Sequence, residues 1–169
     1  MKREEKRRET FAGGLSGLLV IAFVILFGST FDSCSSIECP VQNTVALVCE
    51  LNDTLKDTLT VWTRRRNGKD SIILNKKENA TSFHLPISYQ NPVDTLLFGT
   101  TNLAVVDTVW IEKDNMPHFE SVDCGVAYFH TLRSVRSTHR GIDSLVITKS
   151  FVDYDLTSTH ILIYFKARN

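Results

Sequence analysis

Residues 59–75 read LTVWTRRRNGKDSIILN. Leu59, Val61 and Thr63 alternate with Thr60, Trp62 and Arg64, the period of two expected of a half-buried strand. Asn67-Gly68 is the preferred pair for a two-residue type I′ turn, where both central residues need positive φ. Ser71 to Asn75 returns as the partner strand. The segment therefore predicts a β-hairpin, and the same period governs the chain on both sides of it.

Upstream, Val45, Leu47, Cys49 and Leu51 share one face of a strand over 44–51. Downstream, Phe83, Leu85, Ile87 and Tyr89 face one way over 82–89, with Ser82, His84, Pro86 and Ser88 opposite. Pro86 cannot donate to a ladder, so this strand belongs at an edge or a bulge. Further strands are predicted over 94–100, 104–113, 126–135, 142–148 and 161–166. Residues 115–123 read as irregular around Pro117, and 149–160 as polar and unpatterned. No segment sustains a 3.6-residue period. About 7–9 short strands with turn residues between them predict an all-β chain, a single antiparallel β-sandwich, Ig-like or barrel-like.

The N-terminus has a different character. A charged head, MKREEKRRE, precedes LSGLLVIAFVILFGSTFDSC at residues 15–34. Its apolar core, Leu18 to Phe27, matches a signal-peptide core, whereas a bilayer span needs about 20 apolar residues. The expected organisation is a lipoprotein-type signal peptide or anchor helix over 1–33, a lipidated tether over 34–43 and the β-sandwich over 44–169. Ser33 is the small residue that a lipoprotein signal places before its cysteine, which makes Cys34 the lipidation site. An uncleaved anchor over 12–31, or a simple secretory signal with Cys34 as a disulfide cysteine, are the alternatives.

The whole chain has 19 Lys/Arg and 19 Asp/Glu; the first 33 residues hold five and four, leaving 14 against 15 in the mature part. That balance gives no electrostatic reason to bind nucleic acid or anionic lipid. Export implies an oxidising compartment, where loop cysteines pair. Cys39, before Pro40, and Cys124, before Gly125, suit a disulfide with each other. Cys49 lies within a strand pattern and reads as a small buried hydrophobe.

Two constellations carry potential chemistry. Asp followed by Thr or Ser and an aliphatic residue recurs at Asp53-Thr54-Leu55, Asp57-Thr58-Leu59, Asp70-Ser71-Ile72, Asp94-Thr95-Leu96, Asp107-Thr108-Val109 and Asp143-Ser144-Leu145. Strand grammar explains it, since Asp closes turns through backbone amides and Thr opens strands. The second is the set His118, Glu120, Asp123, Cys124, His130 and His139, from which a nucleophile–base pair or a metal site could be built. No Gly-rich elbow or ligand-spaced pair supports either, and no metal or other cofactor is expected.

CSSIECPVQNTV (34–45), DSIILN (70–75), DTVWIEK (107–113), PHFESVDCG (117–125) and FHTLRSVRSTHRGIDSLVI (129–147) together resemble an uncharacterised lipoprotein family of Bacteroidetes. The resemblance covers nearly all of the mature chain and implies Cys34 as the lipid anchor and Cys39 as a disulfide half. It implies no enzyme activity. The Asp-Thr/Ser-aliphatic tripeptide also matches the O-glycan acceptor of exported proteins in such bacteria, which makes Thr54, Thr58, Ser71, Thr95, Thr108 and Ser144 acceptor candidates. The expected function is that of a non-enzymatic envelope lipoprotein, membrane-bound through its lipid, with an envelope protein or glycan as partner. One acid, Glu38, follows the lipid cysteine, which favours the periplasmic face of the outer membrane over the cell surface. The rival expectation is a periplasmic metal-binding protein or hydrolase built on His118, Cys124, His130 and His139.

Overall fold

Strand β1 (Leu47–Arg64) is 18 residues long and organises the rest. A computed structural model describes residues 45–65, 68–101, 104–122 and 124–167. Seven further strands follow: β2 (Asp70–Leu85), β3 (Val93–Thr100), β4 (Val105–Phe119), β5 (Val126–Ser137), β6 (Ile142–Ile147), β7 (Phe151–Val152) and β8 (Ile161–Phe165). No helix occurs among the described residues. The predicted signal or anchor helix, and the boundaries at 33, 34 and 44, lie outside them.

β1 and β2 form the predicted hairpin, with Arg64 opposite Asp70 and Leu47 opposite Leu85. Its loop is closed by Arg65 N–H on Lys69 O at 2.9 Å and Gly68 N–H on Arg65 O at 2.9 Å. Three residues lie between that closing pair, so the expected two-residue type I′ turn is corrected to a three-residue loop. Gly68, at φ 77°, supplies its left-handed position.

Four predicted strands prove to be two. Residues 47–51 and 59–64 of the predicted segments are halves of β1, and 71–75 and 82–85 are halves of β2; residues 86–89, predicted to continue that strand, lie beyond its end. Between the halves the pairing slips, at Glu50/Leu55 and Leu55/Thr58. Opposite the slips, Lys76 and Asn79 adopt positive φ of 45° and 46°. Bulges of this kind bend a hairpin without ending it. The exposed Asn52, Asp53, Thr54 and Lys56 mark the bend.

The bend lets one strand serve two neighbours along the same edge. The N-terminal half of β1 pairs with β8 (Cys49 with Ile161, Leu51 with Ile163), and the C-terminal half pairs with β3 (Leu59 with Thr100, Trp62 with Leu97). The path through the sheet is β6-β8-β1-β3-β4-β5-β7, with β2 flanking β1. β2 pairs with β1 alone, the edge position expected of the segment that holds Pro86, and it ends at Leu85, before the proline. The eight strands fall within the expected number, but the antiparallel sandwich is corrected to one mixed sheet, because β8 runs parallel to β1.

A histidine that sequence reasoning passed over starts that parallel pair. His160 is fully buried, and its backbone N–H donates to Val48 O at 2.9 Å. Val48 N–H donates in turn to His160 Nδ1 at 3.0 Å. The imidazole thus takes the place of a ladder carbonyl and must stay neutral. Burial, with the charge of Lys149 next, holds it below the ordinary imidazole range.

Both halves of the bent hairpin face one core. Leu47, Cys49 and Leu51 join Leu59 and Val61, together with Phe83, Leu96, Phe98, Val109, Ile111, Ile142 and Ile163. Each such side chain contributes about 1.5–3 kcal/mol on full burial. On the opposite face of β1 and β3 the Trp62 ring lies over Gly99; a Cβ there would meet ring carbons at 2.7 Å. Trp110, under the Arg136 guanidinium at 5.8 Å, occupies the same face. Both tryptophans are half-buried sheet-face aromatics.

Candidate functional site

β4 and β5 extend together beyond the body of the sheet. β3 accompanies β4 only as far as Val93 opposite Glu112, while β4 and β5 stay paired out to Phe119 opposite Val126. Residues 115–119, expected to be irregular, belong to this extension. Pro117 is tolerated because β4 has a single neighbour there. His118, Glu120, Cys124 and His130 all lie on or near the extension, so its geometry decides what they can do.

At its base sits a buried polar chain. Lys113 faces the core at 2% exposure, where strand alternation calls for an apolar residue. Its Nζ donates to Asn91 O at 2.6 Å and pairs with Asp94 Oδ2 at 3.3 Å. The same Asp94 oxygen accepts Ser88 N–H at 2.8 Å. Asn115 Nδ2 also donates to Asn91 O, at 3.0 Å, which turns its Oδ1 toward His130 Nδ1 at 2.7 Å. His130 therefore carries its proton on Nδ1. Burial first, and the Lys113 charge second, push its imidazole down to about 4. At neutral pH it is an uncharged scaffold residue, poorly suited to general acid–base work, which favours a pKa near the operating pH.

The other members of the expected cluster do not join it. His118 stacks on Phe129, with ring centroids 4.1 Å apart, and its Nε2 lies 3.4 Å from Glu120 Oε1. His139, in the loop before β6, has Nδ1 2.7 Å from Asp143 O. Ser121 Oγ lies 3.1 Å from Cys124 Sγ, and Cys124 is not a free thiol. Asp123 lies outside the described residues. The structure thus spends His118, His130 and His139 on three separate partners. Among the described residues no group of three His, Cys, Asp or Glu side chains is gathered to hold a metal.

Cys49 is free and buried, as its strand pattern predicts, and burial pushes its thiol far up. Cys34 and Cys39, and with them the expected Cys39–Cys124 pair, lie outside the described residues.

The recurrent Asp-Thr/Ser tripeptide divides in two. Asp57, Asp94 and Asp107 are buried, and their carboxylates hold backbone amides. Asp107 does so most fully, accepting Thr138 Oγ1, Arg140 N–H and Gly141 N–H at 2.7 Å and Ile142 N–H at 2.8 Å. Burial alone would raise its pKa; the four hydrogen bonds outweigh burial and hold the carboxyl below the usual range. It thereby fixes the β5–β6 loop on β4. Asp53, Asp70 and Asp143 are exposed. Of the hydroxyls, Thr54 and Thr95 are exposed, while Thr58, Ser71, Thr108 and Ser144 are half-buried. Ser71 Oγ also accepts Arg65 Nη2 at 3.0 Å.

What the extension displays is aromatic. Tyr89 stacks on Tyr128 at 4.8 Å, and Phe129 meets Phe151 and Tyr154 edge-on at 5.8 and 5.0 Å. Phe119, Val122 and Val126 project into solvent beyond them. The alternation of 126–135 foreshadows the strand but not this display, because the aromatics come from four separate segments.

No curated protein and no solved structure matches the chain. A family of unknown function, DUF6452, matches residues 58–165. That span runs from the second half of β1 to the last residue of β8 and covers more than half of the chain. The protein belongs to the DUF6452 family.

Proposed function

We propose that this chain is an exported lipoprotein of the bacterial envelope whose β-domain binds or scaffolds other envelope components without catalysis. The observation that carries the reading is the fate of the chemistry-bearing side chains. Lys113, Asp94 and Asp107 are buried and consumed in holding backbone, and buried His130 is bonded to the Asn115 amide, whereas the exposed end of β4 and β5 offers aromatic surface. Exposed apolar surface of this kind marks interaction sites more often than reaction centres.

In this reading residues 1–33 are removed, Cys34 carries the lipid, and the domain faces the periplasm from the outer membrane, with an envelope protein or glycan as partner. Cys39 pairs with Cys124, a pairing supported by Cys49 being the free, buried thiol and Cys124 not being free. The exposed Thr54 and Thr95 are the most accessible of the O-glycan acceptor candidates. The alternative, a metal-binding protein or hydrolase using His118, Cys124, His130 and His139, has the separate engagements of the three histidines against it.

Cys34→Ala tests the reading in cells. The multiple acyl chains of a bacterial lipoprotein hold a membrane firmly, where a single chain is marginal. The variant is expected to leave the outer-membrane fraction, as released domain or as unprocessed precursor. Unchanged fractionation and an unchanged mature mass would refute lipidation at Cys34.

A further inference from the structure

Among the described residues, several exposed apolar side chains gather at one end, apart from Ile72 on β2 and Val146 on β6. Phe119 is 61% exposed, Val122 88%, Val126 56% and Tyr89 53%. Phe119 and Val126 are cross-strand partners, so they project from the same face of the β4–β5 extension. Pro117 and Tyr128, the next pair on that face, carry the surface back to Tyr89, which stacks on Tyr128. The result is one continuous apolar face with tyrosines at its rim.

The chain enters the domain at this same end. Leu47, the first residue of β1, pairs with Leu85, the last of β2, and Tyr89 lies four residues further on. Leu47 lies thirteen positions after Cys34, a tether of at most about 45 Å when fully extended. We propose that the Phe119/Val126/Tyr89/Tyr128 face docks on the interfacial zone of the bilayer that carries the Cys34 anchor. This rests on the lipoprotein reading above, and it names the partner of the aromatic end.

The chemistry suits that partner. Phe and Val gain by leaving water, while Tyr places an apolar ring at headgroup depth and keeps its hydroxyl wet. The nearest charges are balanced or acidic: Glu120 lies against His118, and Arg133 pairs with Asp114. Such a face has no basic cluster to draw it to anionic lipid, so zwitterionic headgroups are its expected surface. With this end on the membrane, the far ends of β3 and β6 point into the periplasm, free for other partners.

The test uses the full-length chain reconstituted into phosphatidylethanolamine vesicles containing brominated lipid, which quenches tryptophan at membrane depth. Phe119→Trp replaces one exposed aromatic by another and leaves the core untouched; Val126→Trp is a second probe on the same face. Thr101→Trp, exposed at the opposite end of β3, is the reference, and the signal of Trp62 and Trp110 is subtracted with the parent chain. Bromolipid is expected to quench Trp at 119 and 126 severalfold more than Trp at 101, with the order reversed for aqueous iodide. Iodide quenching at 119 and 126 equal to that at 101 would overturn the proposal. Protection from both quenchers would also overturn it, by showing protein on the face. Mass spectrometry of the same sample reports whether Cys34 is acylated. An unprocessed chain is still held by residues 15–34, so failure of docking and failure of the anchor assignment remain distinguishable.

Discussion

Asp107→Ala is expected to destabilise the domain by about 3–5 kcal/mol, read as a fall in the urea midpoint at constant slope. The substitution removes the single acceptor for the N–H groups of Arg140, Gly141 and Ile142. The last two are buried, and an orphaned buried donor costs about 1–3 kcal/mol. Gly141 adds to the sensitivity, since a Cβ there would come within 3.3 Å of both Asp107 Oδ2 and Val105 Cγ1. Asp107→Asn keeps one acceptor oxygen of two and should fall between the parent and the alanine variant. The pH dependence follows from the depressed folded pKa. The stability that Asp107 contributes is fully present above its ordinary value near 3.8 and is lost as pH falls below it. Equal stability of Asp107→Ala and the parent would rule out the loop clamp.

Lys113→Met carries the second large effect, about 3–5 kcal/mol, because it leaves the buried Asp94 carboxylate without its cation. The methionine fills most of the lysine's volume, so the loss is electrostatic rather than a cavity. Replacing both partners, as Lys113→Met with Asp94→Asn, should cost well below the sum of the two single changes, since no lone charge remains buried. Additive losses in that double-mutant cycle would contradict a direct pair. Lys113 also anchors the base of the β4–β5 extension, through Asn91 O to Asn115 and His130. Lys113→Met should therefore loosen the aromatic end as well as the core, visible as faster amide exchange over 115–119.

Much of this was legible residue by residue, and the failures have physical causes. β3, β6 and β8 were predicted within one residue of their bounds, because Leu96 and Phe98, or Ile161 and Ile163, alternate cleanly with less buried neighbours. β1 and β2 were each divided, because exposed polar residues at 52–54 and 75–79 resemble loops; a bulged bend and a loop share that composition. The parallel β1–β8 pair could not be read at all, since His160 and Val48 lie 112 positions apart.

The site followed the same rule. Local pattern singled out Asp94 and Asp107 as parts of a recurrent tripeptide but not their use, because the groups they hold arrive from other segments. Lys113 offered no signal: a lysine at a strand position reads as solvated until the structure shows Asn91 and Asp94 around it. His118, His130 and His139 drew attention as a chemical set by nearness in sequence. They separate because His118 and His130, on β4 and β5, meet different partners, and His139 follows β5 into the next loop.

The claim that these side chains hold the fold instead of reacting is tested most directly by an NMR titration of the His130 imidazole. The account predicts a neutral ring, protonated at Nδ1 by its bond to Asn115, that resists a second proton until about pH 4. With the folded value below the ordinary 6.5, stability should decline as pH falls from 6.5 toward 4. A midpoint near 6.5 would contradict the account, because it would leave His130 free to exchange protons at physiological pH.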